Sequence, residues 1–328
     1  MISTDKIFNI KTDQEFKIAA IEIFKYQANQ NKIYKKFLEF NKTKIENIKS
    51  IEDIPFLPIE FFKVHKIITG DDHPKEIFLS SGTSGQERSK HYITNPEIYK
   101  LSFRKSFSSF YGDPNEFCFL GLLPSYLERK NSSLVFMMDD FIKNSKYKES
   151  GFYLHNHEEL YEKLCLLNKK NIPTILVGVS FALIEFADKY AMNFDQLIIM
   201  ETGGMKGQRE EITRTELHNK LKKSFGTDSI HSEYGMTELL SQAYSKKQGK
   251  FYFPKWVKIL IRDTFDPKNY VPPGKSGGIN IIDLANINSI CFIETQDIGK
   301  INSDNSFEVL GRMDNSEIRG CNLLISDN

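Results

Sequence analysis

Between Phe117 and Ser224 short apolar runs alternate with stretches of helical spacing, and this alternation limits the chain to few folds. Phe117–Leu123, Pro173–Val179 and Gln196–Met200 are short, apolar and bounded by turn residues, as strands buried on both faces are. The intervening stretches predict a helix that Asn156 caps and that runs through Leu167, and another from Phe181 to Tyr190. After the last strand comes a helix from about Gln208 to Ser224, with Ile212, Leu217 and Leu221 on its inner side. Strands and helices in this order build a parallel sheet with helices over both faces.

The flanks read differently. Residues 13–40 carry Phe16, Ala19, Ala20, Ile23 and Phe24, then Ile33, Tyr34, Phe37 and Leu38, at helical spacing, which predicts two helices broken near Asn29 to Asn31. Pro55 and Pro58 punctuate an extended segment from Ile54 to Phe62, and Asn95-Pro96 starts a helix reaching about Phe110. Beyond Trp256 the texture becomes short strands: Val257–Ile261, Gly278–Ile282, Ile290–Ile293 and Phe307–Leu310. Pro272-Pro273-Gly274 and Asn302 to Asn305 mark bends between them. The expectation is an α/β chain with a helical part over 1–70, an α/β core over 71–255 and a β-rich part over 256–328.

Charge and cysteine usage narrow the function. A net charge of +1, with no long basic or acidic block, gives no reason to expect nucleic acid or a membrane surface as partner. No apolar run approaches the roughly 18 residues of a membrane span, and no apolar stretch resembling a secretory signal follows the first residues. Cys118, Cys165, Cys291 and Cys321 lie too far apart to form a metal-spaced pair, and Cys118 and Cys291 sit in apolar runs as packing residues. A reduced, cytoplasmic protein fits this usage.

Four clusters carry the chemistry. Leu79-Ser80-Ser81-Gly82-Thr83-Ser84-Gly85-Gln86-Glu87-Arg88-Ser89-Lys90 follows the apolar Ile77-Phe78-Leu79, which reads as a buried strand opening into a phosphate cradle. Glycines let backbone N–H groups converge on an oxyanion, hydroxyls add donors, and a lysine adds a positive charge. A flexible Gly/Ser linker is the plain alternative. The pattern is not a Walker loop, because no lysine directly follows the last glycine. Glu201-Thr202-Gly203-Gly204-Met205-Lys206-Gly207 follows a predicted strand, and its glycines admit a flat ligand or phosphate; an ordinary glycine turn is the alternative. His231-Ser232-Glu233-Tyr234-Gly235-Met236-Thr237-Glu238 offers a ring to stack, a hydroxyl for phosphate and a carboxylate for Mg²⁺; a solvated carboxylate at a helix start is the alternative for Glu238. Glu294 to Gly299, then Gly311-Arg312-Met313-Asp314, place a carboxylate and an arginine on adjoining strands, suited to ribose hydroxyls or to a surface ion pair. All three later clusters are expected in turns after apolar strands.

In order and spacing these clusters resemble the adenylate-forming superfamily of acyl-CoA synthetases and luciferases. Ser80 to Gly85 resembles its phosphate loop, and Tyr234-Gly235-Met236-Thr237-Glu238 its adenine and magnesium motif. Asp297 resembles its ribose aspartate and Gly311-Arg312-Met313-Asp314 its hinge. Ser89-Lys90-His91, Pro124 to Leu134, Gly203-Gly204-Met205-Lys206 and Ser316-Glu317-Ile318-Arg319-Gly320-Cys321 are similar to the acyl-protein synthetase branch, LuxE-like. The resemblance implies one adenylate-forming domain over 1–328, without the superfamily's small C-terminal lobe and its catalytic lysine. It also implies ATP and Mg²⁺, activation of a fatty or other carboxylic acid, and acyl transfer to a protein cysteine. Ser81, Gly82, Thr83, Ser84, Gly85, Lys90, Gly203, Gly204, Tyr234, Gly235, Asp297 and Arg312 are then expected to hold the nucleotide. Glu238 is expected to hold the metal, and Thr237 and Lys206 to act at the phosphates. Cys321, beside Arg319, is the expected acyl carrier, delivering to a partner reductase or transferase; a small packed residue is the alternative for it. Where the superfamily's loop ends in proline and lysine, this chain has Glu87 and Arg88. Two other functions share the motifs: an acyl- or aryl-CoA or carrier-protein ligase, and a nucleotide-binding scaffold that has lost activity. His231 is expected to line the site, and His155 and His157 to lie on the surface.

Overall fold

A computed structural model describes residues 2–81, 87–124, 131–194, 196–203 and 212–313. The chain begins with helices α1 (Thr4–Phe8), α2 (Asp13–Gln30) and α3 (Lys32–Phe40). Thr12 and Glu15 start α2 with a reciprocal capping box, and Phe16, Ala19, Ala20, Ile23 and Phe24 form its buried stripe. Asn31 separates α2 from α3, its side chain accepting from the N–H groups of Ile33 and Tyr34, which is where the break was expected. The extended segment is shorter than expected: strand β1 is Leu57–Pro58, and Phe61 and Phe62 open a one-turn helix, α4 (Phe61–Val64).

Strands β2 (Glu76–Leu79) and β3 (Lys90–Ile93) then pair antiparallel as a hairpin whose connection contains the Gly/Ser stretch. Here the sequence misleads. In β2 only Phe78 is buried, because the strand belongs to a two-stranded ribbon and not to the interior of a large sheet. Helix α5 (Pro96–Tyr111) follows, capped by Asn95 as expected.

The alternating region forms a six-stranded sheet. Its elements are β4 (Cys118–Leu122), α6 (Ser133–Asn144), β5 (Gly151–Tyr153), α7 (His157–Lys169), β6 (Thr174–Val179), α8 (Ser180–Lys189), β7 (Leu197–Thr202), α9 (Arg214–Phe225), β8 (His231–Tyr234) and β9 (Ala243–Ser245). The strand order is β5-β4-β6-β7-β8-β9, parallel except for β9. Every residue of β4 and β6 is buried, as strands covered on both faces require. Neighbouring residues of β8 point to opposite layers: His231 meets Tyr111 of α5, and Ser232 meets His218 of α9.

Two helix starts differ from expectation. Asn156 precedes α7, but its side chain accepts from Leu154 N–H and donates to Glu159, so it caps no helical N–H. Helix α9 begins at Arg214 behind a Thr213–Glu216 capping box, and Ile212 lies outside it with 36% exposure, while Leu217 and Leu221 are buried as expected.

The last part is β10 (Val257–Arg262), β11 (Ser276–Asp283), β12 (Phe292–Ile301) and β13 (Phe307–Arg312). Strands β10 to β13 pair antiparallel in sequence, and β1 adds to β12 in parallel, completing a five-stranded sheet. The N-terminal helices therefore serve the far end of the sequence. Gln27 of α2, fully buried, donates to the carbonyls of Asn286 and Ile287 and accepts from Cys291 N–H. Cys118 and Cys291 are buried free thiols, and burial pushes the Cys118 thiol up to about 11. Among the described residues no helix is long and apolar enough to cross a membrane.

Candidate active site

In a parallel sheet ligands gather beyond the carboxyl ends of the strands. Strands β7 and β8 end at Thr202 and Tyr234, and their register sets Thr202 beside Glu233. Thr202 Oγ1 donates to Glu233 Oε2 at 2.5 Å. Gly203 turns out of β7 with φ +69°, in the left-handed region, and its carbonyl accepts from Ser180 Oγ at 2.9 Å. Gly235 follows Tyr234 where a Cβ would lie 2.6 Å from Glu233 Oε1. Because Glu233 is buried and held by Thr202, it is ill placed to move aside.

Tyr234 reaches across to the other sheet. Its hydroxyl donates to Asp297 Oδ2 at 2.7 Å, while its ring packs among Phe251, Phe253 and Phe307. Asp297 is opposite Arg312 in the β12–β13 register, with Arg312 Nε 3.7 Å from Asp297 Oδ1. A bulge between Ile298 and Gly299 sets that register, and a Cβ at Gly299 would lie 2.5 Å from the Glu308 carbonyl. The Glu294 to Gly299 cluster was expected in a turn; it lies inside β12, because that strand runs on to Ile301.

Glu238 sits in the turn after β8, 5% exposed, with its backbone carbonyl accepting from Asn286 Nδ2 at 2.9 Å. Burial pushes its carboxyl up from the ordinary range, against the Ser89 hydroxyl and the charge of Arg312. Burial likewise raises Asp297, opposed by the Tyr234 hydroxyl and by Arg312 and Arg262. Tyr234, Glu238, Asp297 and Arg312 thus share one electrostatic neighbourhood. The Gly/Ser hairpin reaches it too. His91 of β3 lies 2.8 Å through Nδ1 from the Thr237 carbonyl.

Among the described residues no group of three His, Cys, Asp or Glu side chains could hold a metal alone. Mg²⁺ commonly needs only one or two protein carboxylates, taking its other ligands from phosphates and water. A buried carboxylate whose ionisation is resisted by burial, as at Glu238, suits a dication arriving with a polyphosphate.

Of the other nominated residues, Ser81 and Lys90 are on the hairpin, Lys90 exposed on the side of β3 opposite His91. Gly82, Thr83, Ser84, Gly85, Gly204, Lys206 and Cys321 lie outside the described residues. His155 is exposed as expected, but His157 is buried, edge-on to Phe186 at the start of α7. His231 has a partner the sequence did not reveal, with Tyr111 Oη 3.0 Å from its Nδ1; burial lowers the imidazole to about 4.

Some supporting residues escaped the sequence reading. Arg262, 4% exposed, donates to Asn280 Oδ1 and to the carbonyls of Ile279 and Thr295. Thr295 Oγ1 in turn accepts from Asp297 N–H at 3.1 Å. Asp283 accepts from the N–H groups of Leu240 and Ser241, and burial raises its carboxyl to about 6. The only signal for either was a charged residue ending an apolar strand.

Comparison with known proteins shows the family and the fold. The sequence profile of the family described as acyl-protein synthetase, LuxE, matches residues 3–101 and 129–328. A long-chain-fatty-acid–luciferin-component ligase of Vibrio harveyi is 25% identical over 330 residues, covering 92% of this chain and 85% of that protein. A 2-hydroxyisobutyryl-CoA ligase, solved with 2-HIB-AMP and CoA, superposes with a TM-score of 0.67 at 11% identity, over 96% of this chain and 75% of that one. ATP-bound MatB from Rhodopseudomonas palustris gives a TM-score of 0.54 at 14% identity over 74% of this chain. The chain spans only about half of MatB, 49% of its length.

Proposed function

The chain belongs to the LuxE acyl-protein synthetase family, and from that premise we propose that it activates a fatty acid with ATP and passes the acyl group to a protein thiol. The observation that carries this reading is the meeting of Tyr234, Asp297 and Arg312 with the Thr237–Glu238 turn and the stem of the Gly/Ser hairpin.

A carboxylate is a poor electrophile. Its oxygen would attack the α-phosphorus of ATP, the bond from that phosphorus to the β-phosphate bridge would break, and pyrophosphate would leave. A thiolate would then attack the acyl carbonyl and expel AMP. The residues of this chain would contribute mostly position and charge neutralisation. Asp297 would hold the ribose, exchanging the Tyr234 hydroxyl for ribose hydroxyls, and Tyr234 would flank the adenine. The backbone amides of Gly82 to Gly85, with Ser81 and Lys90, would take the β- and γ-phosphates, and Gly203, Gly204 and Gly235 would give the nucleotide room. Thr237 and Lys206 would act at the α-phosphate. Glu238 would hold Mg²⁺, which neutralises phosphate charge when bound.

Cys321 would receive the acyl group and deliver it to an acceptor reductase or transferase. The whole chain would act as one adenylate-forming unit. The free thiols of Cys118, Cys165 and Cys291 suit a reduced, cytoplasmic setting.

The test is retention of label. Wild type incubated with ATP, Mg²⁺ and a labelled long-chain fatty acid is expected to carry hydroxylamine-sensitive label, and Cys321→Ala to carry none. Label appearing only on added coenzyme A, equally with both proteins, would favour a CoA ligase instead.

A further inference from the structure

The geometry points to His91 as a positioning residue that sets the Thr237–Glu238 turn against the phosphate-loop hairpin. This rests on the reading of ATP as the ligand.

Strand alternation in β3 sends Lys90 outward and His91 inward, where His91 is fully buried, edge-on to Phe62 at a centroid distance of 5.4 Å. Its Nδ1 is 2.8 Å from the Thr237 carbonyl oxygen. A carbonyl can only accept, so Nδ1 must carry a proton. In the neutral ring Nε2 is then a bare acceptor, and it is buried with no partner among the described residues. A histidine serving only as filler would gain nothing from the ring's polarity, and an unpaired buried nitrogen is unfavourable. The bond from Nδ1 is the interaction in which the imidazole is used.

That bond lies at a junction. Ser80 and Ser89 close the neck of the Gly/Ser loop, with Ser80 N–H donating to the Ser89 carbonyl at 3.0 Å and Ser89 N–H to Ser80 Oγ at 2.9 Å. The Ser89 hydroxyl also lies near the Glu238 carboxyl, where it opposes the rise that burial causes. From the other side, Asn286 holds the Glu238 carbonyl and Asp283 holds the Leu240 and Ser241 amides. His91, two residues beyond Ser89 at the loop neck, therefore ties the hairpin to Thr237, and Ser89 faces the next residue of the turn, Glu238. Loop and turn must grip adjacent phosphates of one nucleotide, so their spacing decides how well both are met at once.

His91→Asn and His91→Gln separate this role from packing. Asparagine offers an N–H close to where Nδ1 stands, and glutamine offers one near Nε2. ATP affinity is measured by calorimetry without acid, alongside KM for ATP and for the fatty acid. His91→Gln is expected to weaken ATP binding and raise KM for ATP by about fivefold to tenfold, as for one lost hydrogen bond. His91→Asn is expected to stay within about twofold of wild type. KM for the acid is expected to hold in both.

Equal ATP affinity in both variants and wild type, or equal loss in both variants, overturns the inference. Wild type that binds no ATP overturns the functional reading first. A measurement needing no variant bears on the geometry: the ¹⁵N spectrum should show His91 protonated on Nδ1, and a ring protonated on Nε2 alone overturns the assignment.

Discussion

Replacing Glu233 with glutamine should raise stability at neutral pH and leave it nearly unchanged in acid. Burial pushes this carboxyl from 4.5 to about 7; the Thr202 hydroxyl opposes the rise and the neighbouring Glu201 adds to it. Glu201 is itself buried, with Arg214 Nε at 3.4 Å and His218 Nε2 at 3.6 Å. Between the two values the folded chain binds a proton that the unfolded chain has released. Stability from this group is therefore full below the unfolded value and falls as pH rises toward the folded one. At about 1.4 kcal/mol per unit, the fall is on the order of 3 kcal/mol. Glutamine keeps the shape and a carbonyl acceptor for Thr202 but has no charge to desolvate. Urea denaturation of both proteins across roughly pH 4.5 to 8 should give a difference that starts near zero, grows with pH and levels off above about 7. A difference that is flat with pH, or glutamine less stable at about pH 8, would refute the reasoning. A neutral Glu233 would also keep negative charge away from arriving phosphates.

Tyr234→Phe leaves Asp297 Oδ2 without its 2.7 Å donor and should cost about 1–3 kcal/mol near neutral pH. The loss should shrink in acid as Asp297 protonates, and denaturation at two pH values checks this; an equal loss at both would contradict it. Gly299→Ala sets a Cβ 2.5 Å from the Glu308 carbonyl and should cost about 1–3 kcal/mol by overpacking. Because it pushes β13 away from β12, it should also weaken ATP binding through Arg312, read by calorimetry on the folded variant; unchanged affinity would count against a role for that register.

The sequence was most informative where periodicity and burial coincide. Strands β4 and β6 were legible because a fully buried strand is a short apolar run, and helix α5 because Asn95 and Pro96 mark its start; β7 and α8 were legible from their apolar pattern alone. The hairpin before and after the Gly/Ser stretch was not, since Ile77-Phe78-Leu79 looks the same in a ribbon as in a sheet interior. At the site, Tyr234, Glu238, Asp297 and Arg312 were legible as motifs, and the structure brings these four together. What joins them was invisible. The bond between Tyr234 and Asp297 spans 63 residues and that between His91 and Thr237 spans 146. No local pattern encodes contacts between sheets. His157 was misjudged for a related reason: its pairing with Phe186 comes from packing of α7 on α8, which a polar helix start conceals.

Adenylation is the step on which every later one depends. Exchange of labelled pyrophosphate into ATP, measured with wild type over a panel of short to long fatty acids and aryl acids, tests it most directly. Exchange that depends on a fatty acid, persists in Cys321→Ala and is lost in Glu238→Ala is the expected result. Tight ATP binding with no exchange for any acid would contradict the acyl-adenylate mechanism for this chain.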